Sequence, residues 1–349
     1  MLSERIEGKW IETFVDVFKL CKIAPGDPVA ILSETLSRQI NVHLTELALI
    51  QLKARPFHVI VPSPPHAGPL PFRASSTTDV IRGLRPVVDA ISAAVMAIDL
   101  TLEGILYLEE LPEILAAGTR LFCISDEHPE ILERVKPRIE HKAKVALATE
   151  MLGKAKEMRV TSKAGTDLKV DLTGTVPEGV WGACDKPGEM QHWPGAMVLC
   201  FPLEHTVNGT VVMDAGDLNL TFKRYLENPV TLRFEDDFIV AIEGVGTDAD
   251  LFRSYIDATG DTAARAMSHV GWGMNPDARW DSLAIYDRGD VNCTEHRAFA
   301  GNFLFSTGAN WAAKRYTQGH FDIPLRNCTI SLDNTVVVER GNLVGDLAY

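Results

Sequence analysis

The spacing of apolar and polar residues changes character partway along the chain. In the first part, short apolar runs alternate with stretches of helical period. Ile11, Phe14, Val15 and Phe18 recur at helical spacing, and Pro28–Glu34 (PVAILSE) then reads as a buried strand. Ser37 is a candidate cap for a helix through Leu44, Leu47, Ile50 and Leu52, and residues 57–61 form a second strand. The loop after it, PSPPHAGPLP, carries five prolines and excludes regular structure. A helix over 87–97, a strand over 98–102, a helix ending at Gly118 and the strand RLFCIS complete the series. Strands alternating with helices predict a Rossmann-like parallel sheet covered on both faces. No G-x-G-x-x-G follows any strand, so no dinucleotide is expected.

A long charged helix over about 129–156 is expected to join this α/β domain, residues 1–150, to a second one, residues 151–349. Beyond the helix, TSKAGTDLKVDLTG, GTVVMDAGD, VTLRFEDDFIVAIEG and CTISLDNTVVVERG alternate at period two, with Asp236-Asp237 and Asp333-Asn334 as hairpin tips. The second domain is predicted to be mainly antiparallel α+β, with a helix near 248–258, and to carry the chemistry.

A length of 349 residues suits two domains. The net charge of −13, with no dense basic stripe, argues against a nucleic-acid partner. No apolar run approaches the ~20 residues of a membrane span, and the first twenty residues lack an uninterrupted apolar core. Six scattered cysteines without a C-x-x-C pair point to reduced thiols and a cytoplasmic location.

The chemistry concentrates in a few segments. In GHFDIPLRN, His320 and Asp322 stand two apart, so on a strand they leave the same face and can bind a divalent metal as neighbours. H-x-D alone is short enough to be a surface or structural tripeptide. Upstream, SHVGWGMNP places His269 beside glycines that let the backbone turn tightly near a site; a hydrogen-bonded histidine near a turn reads equally well. Together the three match the two-histidine, one-carboxylate set of non-haem iron(II) oxygenases, which leaves coordination positions open for substrate and O2. In EMQHWPGAM, His192 is a candidate general base, since an unperturbed imidazole titrates near ~6.5, or a loop histidine packed on Trp193. Ser306 and Thr307, in GNFLFSTGAN, offer hydroxyls to a substrate, or else belong to a buried strand and turn.

The segments SKAGTD, HWP, SHVGWG, GNFLFSTG and H-x-DIPLRNC together closely resemble the 2,5-dihydroxypyridine 5,6-dioxygenases of bacterial nicotinate and hydroxypyridine breakdown, over nearly the whole chain. The resemblance implies that His269, His320 and Asp322 bind Fe(2+), that His192 acts in catalysis and that Ser306 lies at the substrate pocket. It implies opening of a pyridine ring with both atoms of O2 to give N-formylmaleamate, by a homo-oligomer acting on a small aromatic N-heterocycle. One position departs from the family: Tyr107 stands where the family has a second pocket histidine. Tyrosine there either takes over a proton-transfer or hydrogen-bonding role or marks a different ring. The same resemblance extends to the fold of aminopeptidase T-like metallopeptidases, the rival reading. Their two-metal site would need ligands near Ala196 and Leu304, where this chain is apolar.

Overall fold

In the computed structural model the chain is described over residues 5–65 and 78–349. The latter part of the proline-rich loop, from residue 66, lies outside the described residues. Five strands form a parallel sheet in the order Arg55–Val61, Pro28–Glu34, Met96–Asp99, Arg120–Ile124, Met190–Trp193. Alternate side chains leave opposite faces, and both faces are covered. Ile31, Ile98 and Phe122 join Phe14, Phe18, Leu44 and Ala48 from helices Gly8–Leu20 and Gln39–Gln51. Ala30, Leu32, Ala97 and Leu121 pack with Val88, Ile91, Leu111 and Ile114 from helices Arg85–Ser92 and Leu111–Ala116.

Four local expectations need correction. The strand expected over 98–102 is Met96–Asp99, because the preceding helix already stops at Ser92. Ser37 does not cap its helix; its hydroxyl accepts the Glu34 N–H, and Arg38 holds the cap position. The joining helix is two helices, Pro129–Arg134 and Ile139–Lys154, separated around Pro137, whose ring disfavours helical backbone at the residue before it. Met190–Trp193, read as a loop, is the fifth parallel strand, with Cys123 facing His192 in register. Four residues are too short for a period to show.

Beyond residue 156 the strands other than Met190–Trp193 are antiparallel, and all but one short two-stranded pair belong to two large sheets. Eight strands run in the order Phe238–Glu243, Val230–Glu235, Val207–Met213, Asp167–Asp171, Glu157–Ser162, Cys328–Leu332, Thr335–Glu339, Asn342–Leu343. Asp236, Asp237 and Asp333 adopt left-handed backbone at the expected hairpin tips. The other sheet has five strands, ordered Arg315–Leu325, Phe303–Asn310, Met267–Gly273, Met197–Cys200, Pro177–Val180. Phe234 of the first meets Phe305 of the second edge-on, with ring centroids 6.2 Å apart. The five-stranded sheet carries the polar cluster described next.

Candidate metal centre

His320 and Asp322 lie two apart on strand Arg315–Leu325 and share its inner face. The Tyr255 hydroxyl donates to the His320 carbonyl at 3.1 Å and fixes the backbone there. The neighbouring strand pairs Ser306 with Asp322 and Gly308 with His320. Gly308 has a φ of +109°, and a side chain would run into the Gly319 carbonyl, so glycine lets the two strands close beside His320. His269 enters from the next strand, Met267–Gly273, where the pairing shifts register between Met267 and Val270 and re-aims the side chain. The glycines after His269 make no turn. They lie in the strand, and a side chain on Gly271 or Gly273 would strike the carbonyl of Val198 or Phe299.

The three side chains converge. Asp322 Oδ1 lies 3.1 Å from His269 Nε2 and 3.4 Å from His320 Nε2. One ligand atom from each residue falls within 4.8 Å of the others, and all three residues are buried. Adjacent ligands around one metal at ~2.1 Å stand ~3 Å apart, close to these separations. Asp322 Oδ1 is buried and has no hydrogen-bond partner among the described residues, a costly state for a carboxylate oxygen that a cation would relieve. The residues therefore fit a metal ion.

Asp322 Oδ2 is occupied otherwise: Arg297 Nε lies 2.8 Å away. Burial by itself would raise the Asp322 carboxyl, but the Arg297 guanidinium, with His320 and His269, holds it well below the usual carboxylate range. Burial lowers His269, favouring the neutral imidazole that a metal needs. Arg297 was not legible in the sequence. It sits on the short helix Thr294–Ala298, and nothing in TEHRA marks an arginine that folds back onto a strand.

His192 and Tyr107 reach the same cavity, of about 170 Å³, along with all three cluster residues, Arg297, Glu178, Leu199, Phe201, Leu304 and Trp311. His192 Nδ1–H donates to the Pro194 carbonyl at 2.8 Å, leaving Nε2 as the ring's acceptor. The expectation of an ordinary imidazole is corrected: burial, with the nearby Arg297 charge, lowers His192 to about 4. Tyr107 follows strand Met96–Asp99 in a loop pinned by Asp99, which accepts from the Thr101 N–H at 2.9 Å and the Ile105 N–H at 2.8 Å. Its hydroxyl lies 3.2 Å from His320 Nε2. Burial, then the Asp322 charge, raises the phenol well above its ordinary value, so it is protonated at neutral pH.

Ser306 is fully buried beneath the cluster, away from the cavity wall. Its Oγ accepts the His269 backbone N–H at 3.2 Å, so a contact with substrate would compete with that bond. Glu178, on strand Pro177–Val180, is a second residue that sequence reading missed. It faces the cavity, makes no hydrogen bond or ion pair among the described residues, and is pushed by burial to about 7.

Fold and site define a class: an α/β sheet joined to an antiparallel sheet that carries one buried two-histidine, one-carboxylate centre. The chain belongs to the 2,5-dihydroxypyridine 5,6-dioxygenase (NicX) family, whose model matches residues 9–345. It is 36% identical to 2,5-dihydroxypyridine 5,6-dioxygenase of Pseudomonas putida over 337 residues, 95% of each chain. The solved structure of 2,5-dihydroxypyridine dioxygenase from that organism superposes with a TM-score of 0.93 at 34% identity, covering 100% of both chains. AmpT from Thermus thermophilus shares the fold, with a TM-score of 0.63 at 13% identity over 97% of this chain and 99% of its own. The chain is thus a ring-cleaving dioxygenase and not a metallopeptidase. Among the described residues His269, His320 and Asp322 form the one group that could hold a metal ion, and Leu304, an apolar residue, lines the same cavity.

Proposed function

We propose that the protein opens the ring of 2,5-dihydroxypyridine, or a close dihydroxylated N-heterocycle, with O2 to give N-formylmaleamate, using Fe(II) held by His269, His320 and Asp322. The observation that carries the reading is the buried, hydrogen-bond-free Asp322 Oδ1 with an imidazole Nε2 at 3.1 Å on one side and another at 3.4 Å. Three protein ligands leave positions open, so bound Fe(II) would let an electron-rich ring and O2 exchange electrons at one centre.

This chain's own residues supply the rest. Arg297 engages Asp322 Oδ2 and leaves Oδ1 for the metal. Ser306 fixes the His269 backbone. Leu199, Phe201, Leu304 and Trp311 give the ring apolar walls and exclude water. His192 Nε2 takes the substrate's hydroxyl proton while Nδ1–H stays anchored to Pro194. Its weak basicity suits a hydroxyl already made acidic by positive charge at the site, Arg297 included. Tyr107 is a poor base and an effective donor, so it orients the substrate and leaves proton removal to His192.

Among the described residues no helix is long and apolar enough to cross a membrane. Six free, buried cysteines suit a reducing compartment. A cytoplasmic homo-oligomer is therefore our proposal, its oligomeric part resting on family resemblance alone. Anaerobic reconstitution with Fe(II), followed by a screen of dihydroxypyridines for O2 uptake, tests the activity. Uptake with 2,5-dihydroxypyridine at one iron per chain is expected; no uptake with any dihydroxypyridine would overturn it.

A further inference from the structure

Paired residues of the five-stranded sheet form rows across the face that bears the cavity. Glu178 pairs with Leu199, Leu199 with Gly271, Gly271 with Leu304, and Leu304 with Pro324. Two residues along the strands lies the row of His269, Ser306 and Asp322, on the same face. Glu178 is thus one row over and two strands from His269. At ~4.8 Å per strand that is ~10 Å across the sheet, and side chains reaching in from both ends leave room for one six-membered ring. Leu199 floors the gap, and Leu304 lies just beyond the His269 strand, within an apolar cluster that also contains Val180, Met197 and Phe201 and packs against Tyr107.

A ring lying on that floor with one end at the metal cluster presents its far edge to Glu178. The half-buried carboxyl group makes no hydrogen bond or ion pair among the described residues. An unpaired polar group in an apolar pocket is costly unless a ligand completes it. In its lactam form, 2,5-dihydroxypyridine carries a ring N–H beside a C2 carbonyl, one donor next to one acceptor. A neutral carboxyl group offers the matching acceptor and donor. Burial favours that neutral form, holding Glu178 at about 7. The other cavity groups near the cluster do not duplicate it: Tyr107 and Arg297 face His320 and Asp322, and His192 is committed through Nδ1 to Pro194.

We propose that Glu178 is a specificity-determining residue that reads the N1–C2 edge of the substrate ring and selects a nitrogen heterocycle over a carbocyclic diol. The inference rests on the substrate class given above. The test is anaerobic equilibrium binding to the iron-loaded, full-length enzyme. The probes are 2,5-dihydroxypyridine, its N-methyl lactam and benzene-1,4-diol, with wild type, Glu178→Leu and Glu178→Gln. Wild type should prefer the N–H ring over both analogues by roughly 10–100-fold, the worth of a hydrogen bond to a charged or strongly polar group. Glu178→Leu should bind all three within a few-fold of one another. Glu178→Gln, whose amide also offers an acceptor beside a donor, should keep most of the preference. Equal binding of the three probes by wild type overturns the proposal, as does a full preference retained in Glu178→Leu. If Glu178→Leu does not fold, Glu178→Ala takes its place in the same comparison. Oxygen uptake separates the two readings: selective binding without turnover of 2,5-dihydroxypyridine would defeat the proposed activity and leave ring selection by Glu178 standing.

Discussion

The two five-stranded sheets treat polarity in opposite ways. The parallel sheet buries Ile31, Ile98, Leu121 and Phe122, and the residues it sends to the cavity with a proposed role stand at its margins: Tyr107 in a loop after one strand and His192 on an edge strand. The antiparallel sheet buries His269, Ser306, His320 and Asp322 within its strands, flanked by Phe303, Phe305 and Phe321. Metal ligands embedded in paired strands have few alternative positions, which is what a three-point centre requires. The groups proposed to handle protons or orient substrate sit at the edge of their sheet or in a loop. If this division is right, substitutions in the antiparallel sheet should remove the metal, and those at the margins of the parallel sheet should spare it.

The largest effect is expected at Asp322 and His269. His269→Ala and Asp322→Ala should abolish iron binding, checked by metal analysis of the reconstituted protein. They should differ in stability. Asp322→Ala leaves the mostly buried Arg297 guanidinium without its 2.8 Å partner, a loss on the scale of about 3–5 kcal/mol for a broken buried pair. Asp322→Asn should lose the metal yet unfold closer to wild type in thermal denaturation. Wild-type iron content in His269→Ala would break the assignment.

At the margin of the parallel sheet, His192→Ala should keep its iron and lose ~10²–10⁴-fold in turnover, the usual scale for a general base. An unchanged rate at saturating substrate would make His192 a packing residue on the edge strand. Tyr107 should matter less. Tyr107→Phe removes the hydroxyl 3.2 Å from His320 Nε2 and should slow turnover moderately with iron retained. Tyr107→His should accept 2,5-dihydroxypyridine at least as well as wild type. Loss of all activity in an iron-loaded Tyr107→His would mean that the pocket is built for another ring.

The smallest expected effect concerns pH. With His192 lowered to about 4, its basic, neutral form is present above that value and is lost only as pH falls through it. Between pH 5 and 7 the kcat/KM profile should therefore show no acidic limb from His192, and Tyr107→Phe should leave the profile's shape unchanged. A limb near pH 6.5 that disappears in His192→Ala would show that the cavity is wetter than its burial implies.

Much of this was legible in the chain. Period-two alternation is local, so the shared face of His320 and Asp322 followed on the condition that GHFDIPLRN is a strand, and the buried run Pro28–Glu34 and the aspartate hairpin tips could be read directly. The Gly residues after His269 were noticed, but their reason was not. A glycine that admits a neighbouring carbonyl looks in sequence like one that makes a turn, and only the pairing with the Val198 strand distinguishes them. The strand holding His192 escaped because four residues carry no period, and its partner, Arg120–Ile124, is about seventy residues away in the chain.

The sequence by itself determined which side chains share a strand face, because that follows from the alternation of consecutive residues, and its family resemblance pointed to His269, His320 and Asp322 as the residues to hold a metal. Tertiary structure decided the rest. It brought Arg297 from a short helix onto Asp322, set Glu178 two strands from His269, and lowered His192 by enclosing it. Burial and charge act between groups that are distant in the chain, and their effects exist only once the sheets have closed around the cavity.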